Sequence, residues 1–272
     1  LIAQTLNIGI DSLVFADDNP FERNLVRREQ PEVAVPELPE DPAYFVDCIA
    51  GAGYFESLAL SAEDRERAQL YQANAEREQL RGSATNIQDY LKSLNMEMLW
   101  KPFDDLGMQR IVQLMNKTNQ FNLTTQRYGE AEVRSLMNNH SVLTWQVRLK
   151  DRFGDNGIIA LLIGKLNGAK DFEIDTWLMS CRVLGRQVEE ACLDLVVQGA
   201  RRLGAERIRG RYLATPKNGM VRDLYLRLGF RKVDSANADN AAESTEWLLD
   251  VSGFTPQPCE ITISEESRAM VD

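Results

Sequence analysis

The spacing of hydrophobic and polar residues changes period along the chain, and each change marks an element. Residues 12–16 read as a short apolar strand, after a helix end at residues 1–6 and before a helix opened by Pro20. Residues 31–42, rich in Pro and Glu, carry no period and suit an extended crossing segment. From Ser61, which forms a capping box with Asp64, to Arg81, acids alternate with bases, predicting a solvated connecting helix that stops at Gly82. A shorter helix over 86–94 leads into a strand over 97–101. The next helix turns Met108, Ile111, Val112 and Met115 inward. Strands over 141–150 and 157–166, joined by a Gly-containing turn, predict an antiparallel centre.

A strand over 172–180 follows, then a turn, then a helix in which Val188, Ala191, Cys192 and Leu195 share one face. A further strand precedes a helix with Val221, Leu224, Tyr225 and Leu228 on one face, stopped by Gly229. The expectation is an α/β fold: a mixed sheet with flanking helices, preceded by a small α/β remnant and a helical linker. The predicted organisation is 1–47, a 48–94 linker, a 95–251 main domain and an acidic 252–272 tail.

Charge sharpens this picture. The net charge is −10, and after Val233 nine acids face one base, Arg268, so this end carries −8. With the rest nearly neutral, no basic face is available for nucleic acid. The four cysteines show no metal spacing and His140 is the sole histidine, which disfavours a zinc site. The longest apolar run, residues 158–163, is far short of a membrane span, so no membrane partner and a cytoplasmic location are expected.

Several residues could carry chemistry. The turn after the 172–180 strand opens a helix N-terminus, where backbone N–H groups and the helix dipole favour an anion. Period-two alternation puts Glu173 and Asp175 on one face beside Trp177, so either is a candidate general base, or else an ion-pair partner of Arg182, Arg207 or Arg209. Cys181, beside Arg182 near the helix start, sits where a thiol pKa would fall, and is otherwise a buried, inert cysteine, the reading favoured here. The polar loop 116–125 either presents amides, hydroxyls and Lys117 to a ligand or satisfies its own backbone. Asp17 and Asp18 end an apolar strand, either as turn and cap residues or as a Mg²⁺ site.

The string from Arg182 through Gly185, Arg186 and Gln187, followed by Asn218 and by Tyr225 before Gly229-Phe230, resembles the GNAT acyltransferase family. There the pattern Arg/Gln-x-x-Gly-x-Gly/Ala binds a coenzyme A pyrophosphate; here Gln187 replaces the last small residue. DSLVFADDNPFERNLVR, NKTNQFNLTT, RFGDNG and WLMSCRVLGR are more specifically similar to the FkbH-like family, in which a haloacid dehalogenase (HAD)-like domain precedes a GNAT-like one.

The resemblance implies a wide set of roles. Asp17 and Asp18 would bind Mg²⁺, with the Asp-x-Asp nucleophile motif expected upstream, so that the chain is a C-terminal portion. Arg182, Gly185, Arg186 and Gln187 would hold a phosphopantetheine or coenzyme A, and Asn218 would orient pantetheine amides or cap its helix. Tyr225 would protonate the leaving thiolate. The acyl-thioester would lie where the central strand splays from its neighbour, its carbonyl oxygen on a strand N–H. The implied activity is transfer of a glyceryl group from a small phosphorylated acyl donor, 1,3-bisphosphoglycerate, to the phosphopantetheine thiol of an acyl carrier protein. Alternatives are a non-catalytic carrier-protein docking module and a coenzyme A-dependent N-acetyltransferase. Gln187 and the HAD-like lead-in favour a carrier-bound pantetheine.

Overall fold

The computed structural model describes residues 2–3, 8–55, 67–168, 170–233 and 244–266. The chain forms two compact units, Leu1–Ala75 and Glu76–Asp272. The Ser61 and Asp64 capping box lies outside the described residues.

In the smaller unit, helix α1 (Pro20–Glu29) starts with Asn19, whose side chain accepts from the Phe21 amide, and with Pro at N1. Both are strong helix-start chemistry. Helix α2 spans Phe45–Gly51. The expected strand over 12–16 is reduced to an isolated parallel bridge between Val14 and Ala34. Arg23 is buried and binds the carbonyls of Asp17 and Asp18 and the Glu37 carboxylate, so a charged side chain ties this unit together. The guanidinium pair of Arg23 and Arg27 holds Glu37 below the usual carboxylate range.

The larger unit is an eight-stranded mixed sheet flanked by helices. Its strands are β1 (Met96–Lys101), β2 (Val142–Asp151), β3 (Gly154–Asn167), β4 (Asp171–Met179), β5 (Arg207–Leu213), β6 (Arg231–Val233), β7 (Ser244–Asp250) and β8 (Ile261–Glu265). Their order is β6-β7-β5-β4-β3-β2-β1-β8. The β4–β5 and β1–β8 pairs are parallel and the others antiparallel.

Helix α3 spans Arg67–Ser83, α4 Ile87–Ser93, α5 Met108–Lys117, α6 Glu130–Met137, α7 Val188–Arg202 and α8 Leu224–Arg227. On one face of the sheet, Val188, Ala191, Cys192 and Leu195 of α7 join Trp145, Phe172, Ile174 and Trp177. On the other, Met108, Ile111 and Met115 of α5 and Val133 of α6 pack on Leu161, Ile163 and Leu178. The apolar periods of these elements therefore all point into a core, which is what hydrophobic burial requires. Among the described residues no helix is long and apolar enough to cross a membrane.

Two elements of the larger unit also differ from expectation. The helix expected between Gly219 and Gly229 shrinks to a 3-10 turn, Gly219–Val221, and the single turn of α8, because Asp223 (φ −101°) is not helical. Val221, Leu224, Tyr225 and Leu228 are buried nonetheless, and Gly229 (φ +87°) supplies the left-handed stop. The expected acidic tail contains β8, which pairs with β1 from Met96↔Ile261 to Trp100↔Glu265. Its sequence, ITISE, has the period-two pattern of a strand, and the acid count obscured it.

Candidate functional site

The site is built around a defect in β4. Register with β3 shifts between Ile163 and Gly164, which face Thr176 and Ile174, leaving Asp175 without an opposing residue. Such a bulge inverts the alternation beyond it. Phe172 and Ile174 therefore share a core cluster with Trp177 and Met179, whereas Leu178 joins the opposite cluster. This corrects the sequence reading: Trp177 does not lie on the face of Glu173 and Asp175.

At the bulge, Tyr128 Oη donates to Asp175 Oδ2 at 2.7 Å, Thr176 Oγ1 to the same oxygen at 3.0 Å, and Lys165 Nζ pairs with Oδ1. The Lys165 ammonium also lies 5.9 Å from the Tyr128 ring centroid. Burial first, then the bond to Asp175, pushes the Tyr128 phenol well above its ordinary value. Tyr128 is thus held as a donor, and Asp175 as a fixed acceptor flanked by a cation. No periodicity in the sequence links Tyr128 or Lys165 to this carboxylate; the readable signal is the β3–β4 hairpin, which pairs Lys165 with Glu173. Glu173 accepts from Asn167 Nδ2 at 3.3 Å. The arginines suggested as its partners, Arg207 and Arg209, instead clamp Asp171, both at 2.7 Å.

Beyond Glu173 the strands β4 and β5 part; their register ends at Glu173↔Arg209. The opening, expected to hold the acyl-thioester, is occupied by the chain itself. Residues 121–123 run antiparallel to β4: Met179 N donates to Phe121 O at 3.0 Å and Leu123 N to Trp177 O at 3.2 Å. Leu213 N of β5 donates to Leu123 O at 2.8 Å, and Thr124 Oγ1 to Asp175 O at 2.7 Å. Phe121, Asn122, Leu123 and Thr124 are all buried. The polar loop therefore satisfies sheet backbone that the splay leaves bare, as every buried N–H and C=O must be. The Met179 N–H, on the edge where an oxyanion donor was expected, is committed to Phe121.

Asn218 serves this same insertion. Its side chain accepts from Thr215 N and Tyr212 Oη and donates to the carbonyls of Asn122 and Leu213. It caps no helix N–H with its side chain, and its amide is spent on the loop, so the structure corrects both roles expected of it. Tyr225 is fully buried, its ring edge-on to Trp177 with centroids 6.4 Å apart. A Cβ at Gly210 would lie 2.4 Å from that ring, so glycine is needed there. Among the described residues the Tyr225 hydroxyl makes no hydrogen bond of good geometry, the Arg211 backbone being its near polar neighbour, and burial pushes it well above its ordinary value. In this conformation the structure brings it to no open surface.

The turn before α7 is also unlike the expected anion cradle. Arg186 is buried, donating to Asp151 Oδ2 at 3.1 Å and to Arg182 O at 2.9 Å. Asp151, with a side chain 0% exposed, is simultaneously gripped by Arg77 through Nε and Nη2, both at 2.8 Å. Burial, then the Arg77 charge, brings the Arg186 guanidinium down to about 10. Arg182 Nε donates to Ser180 Oγ at 3.2 Å.

Gly185 has φ +73°, and Gln187 stands in the same left-handed region at φ +63°, ψ +21°. That conformation explains why a small residue suits the position. Here Gln187 uses its side chain instead, Oε1 accepting from Glu260 N at 2.9 Å and so fastening the chain leading into β8. The first turn of α7 carries Glu189 and Glu190. Burial pushes the Cys181 thiol up, in keeping with the inert alternative and not with an activated cysteine.

A cavity of 360 Å³ opens beside this turn, with Leu91 of α4, Phe121, Leu184, Gln187, Glu189 and Arg227 among its lining residues. Phe121 thus borders the cavity, and Thr124, three residues on, touches the backbone of Asp175. In the smaller unit, Asp17 Oδ1 accepts from Asn19 N at 2.8 Å as a turn-forming side chain, and Arg23 binds the carbonyls behind it. Among the described residues no group of three or more His, Cys, Asp or Glu could hold a metal ion. Asp17 and Asp18 belong to no such group among the described residues.

No family profile and no curated protein sequence matches the chain. Among solved structures, the ribosomal-protein-S18-alanine N-acetyltransferase of Escherichia coli is similar at 12% identity over 57% of this chain and 94% of its own, with a TM-score of 0.43. The GNAT domain of S. lividans PAT reaches 15% identity over 56% and 89%, also at 0.43. Spermidine N-acetyltransferase from Vibrio cholerae, in complex with CoA and spermine, reaches 11% over 57% and 96%, at 0.43. Likeness at this level assigns neither a substrate nor a reaction to the chain.

Proposed function

We propose that the larger unit transfers an acyl group to a phosphopantetheine thiol, as part of a glyceryl transferase that loads an acyl carrier protein from 1,3-bisphosphoglycerate. The single observation that carries the chemistry is the Asp175 carboxylate, fixed at the bulge by Tyr128 and Lys165 where β4 and β5 part. In this reading the carrier thiol sulfur attacks the carbonyl carbon of the acyl phosphate. The C–S bond forms, the C–O bond to phosphate breaks, phosphate leaves with its electron pair, and the thiol proton passes to Asp175. Lys165 offers its charge to the oxyanion that develops. General-base assistance of this kind contributes ~10²–10⁴-fold. The specific acyl group and carrier partner are supported by the FkbH-like strings, not by this geometry.

The test is mass-spectrometric loading of an acyl carrier protein by wild type and Asp175→Asn, with folding checked by thermal melting. The substitution keeps an acceptor for Tyr128 and removes the base, so loading falls by ~10²–10⁴-fold. Loading by Asp175→Asn at the wild-type rate overturns Asp175 as the base, and absence of loading by wild type itself favours the second reading, a non-catalytic carrier-protein docking module. That reading is supported by the commitment of Arg186, Gln187 and Asn218 to the fold itself.

A further inference from the structure

We infer that the arginine row of β5, with Arg211 at its end, is an anion subsite that holds the phosphate of a small, three-carbon phosphate monoester whose uncharged end meets Asp175. This rests on the reading that Asp175 is the reacting group, and it places a specificity-determining residue on the facing strand.

Alternation along β5 sends Ile208 and Tyr212 into the core beneath α7 and turns Arg207, Arg209 and Arg211 to the opposite face. That is also the face of Asp171, Glu173 and Asp175, because Phe172 and Ile174 of β4 point into the same core as Ile208. Residues two apart on a strand stand ~7 Å apart, so the three guanidinium groups form a row. Arg207 and Arg209 each give Asp171 a hydrogen bond through Nε. Their side chains are 44% and 39% exposed, so this part of the sheet is open to solvent.

Arg211 has no such carboxylate. Its Nε is buried, and among the described residues it has no hydrogen-bond partner. Glu246 stands opposite it on β7 and is exposed, but the two close no ion pair. Three cations in the row therefore share one bonded carboxylate, and a buried donor is left without an acceptor. Such a donor calls for an acceptor from outside the fold.

The position of Arg211 says where that acceptor belongs. The strands β4 and β5 stay in register as far as Glu173↔Arg209. Two residues on, Asp175 and Arg211 would stand opposite each other, but the strands have parted around the segment of Leu123, whose carbonyl accepts from Leu213 N. One inserted strand doubles the spacing, which puts the two residues ~10 Å apart on one face. A three-carbon chain ending in a phosphate can bridge side chains so placed. The guanidinium fork matches two phosphate oxygens, while Asp175, with Lys165 already paired to it, disfavours a second anionic end. Three arginines on one strand hold one phosphate, not a nucleic-acid backbone.

Calorimetry with sn-glycerol 3-phosphate, glycerol and inorganic phosphate, on the full chain and on Arg211→Gln, tests this. Wild type should bind glycerol 3-phosphate at least about tenfold more tightly than glycerol. Arg211→Gln should narrow that ratio by about tenfold, the worth of one hydrogen bond to a charged group. Equal affinity for the two, no binding of either, or an unchanged ratio in Arg211→Gln overturns the inference. Inorganic phosphate binding as tightly as glycerol 3-phosphate overturns the part given to Asp175. Where Arg211→Gln fails to melt cooperatively, Arg211→Lys, which keeps the charge and loses the fork, takes its place, and an unchanged ratio there counts against the subsite in the same way. None of these measurements uses a carrier protein, so the subsite can fail while Asp175-dependent loading stands, and loading can fail while the subsite stands.

Discussion

The start of α7 and the bulge of β4 are two charged regions of one sheet domain, and they use charge in opposite ways. At α7 the cations are sealed: Arg186 and Arg77 share a single buried Asp151, while the carboxylates Glu189 and Glu190 face a cavity. At the bulge the carboxylate is the organised group, with Tyr128 and Lys165 converging on Asp175, whose side chain is 15% exposed. The first arrangement fixes a turn and the second gathers Tyr128, Thr176 and Lys165 on one carboxylate. The motif resemblance implies a phosphate-binding α7 start; the geometry instead ties Arg186 into the fold, and the chemistry proposed above rests on the strand.

The contrast can be broken most strongly at Asp151. Replacing it with Ala leaves two buried guanidinium groups without their shared counter-ion, and removing one partner of a buried pair costs ~3–5 kcal/mol. Denaturant unfolding of Asp151→Ala is expected to show that loss. A change below ~1 kcal/mol, the size seen for exposed pairs, would mean the cluster does not hold the turn.

Asp175→Asn should act on rate rather than stability, lowering carrier loading ~10²–10⁴-fold with little change in melting temperature. A smaller effect is expected at Asp194 of α7, which burial pushes up to about 6 from its ordinary 3.8. A raised folded pKa means the folded state binds the proton more tightly than the unfolded one. Stability therefore falls as pH climbs from 3.8 toward 6 and stays lower above it. Asp194→Asn should stabilise the fold at pH 7–8, by no more than ~1 kcal/mol after solvent screening, seen as a higher melting temperature, and leave it unchanged near pH 4. A gain at pH 4 equal to that at pH 7 would rule out titration as the cause.

The smallest effect belongs to Tyr225→Phe. Its hydroxyl lacks a well-formed hydrogen bond in the core, so removing it is neutral or stabilising by ~1 kcal/mol. Destabilisation beyond ~1 kcal/mol would reveal a partner that the geometry does not show.

Much of this architecture was legible in the sequence because it depends on periodicity. The face of α7 shared by Val188, Ala191, Cys192 and Leu195, and the long β2–β3 pair, are patterns of burial that local spacing records. The site was less legible for three physical reasons. A single-residue bulge at Asp175 inverts which residues share a face, and no spacing announces it. The filling of the β4–β5 opening by residues 121–123 is a contact between segments some fifty residues apart. The departure at Gln187 read as a weakened ligand motif, whereas its side chain fastens Glu260 ahead of a strand hidden in an acid-rich terminus.

The central claim, that the chemistry belongs to the β4 bulge and not to the buried tyrosine, is tested most directly by loading an acyl carrier protein with Asp175→Asn and Tyr225→Phe side by side. The geometry predicts a ~10²–10⁴-fold loss for Asp175→Asn and wild-type loading for Tyr225→Phe. Loss of loading in Tyr225→Phe with Asp175→Asn unaffected would contradict it.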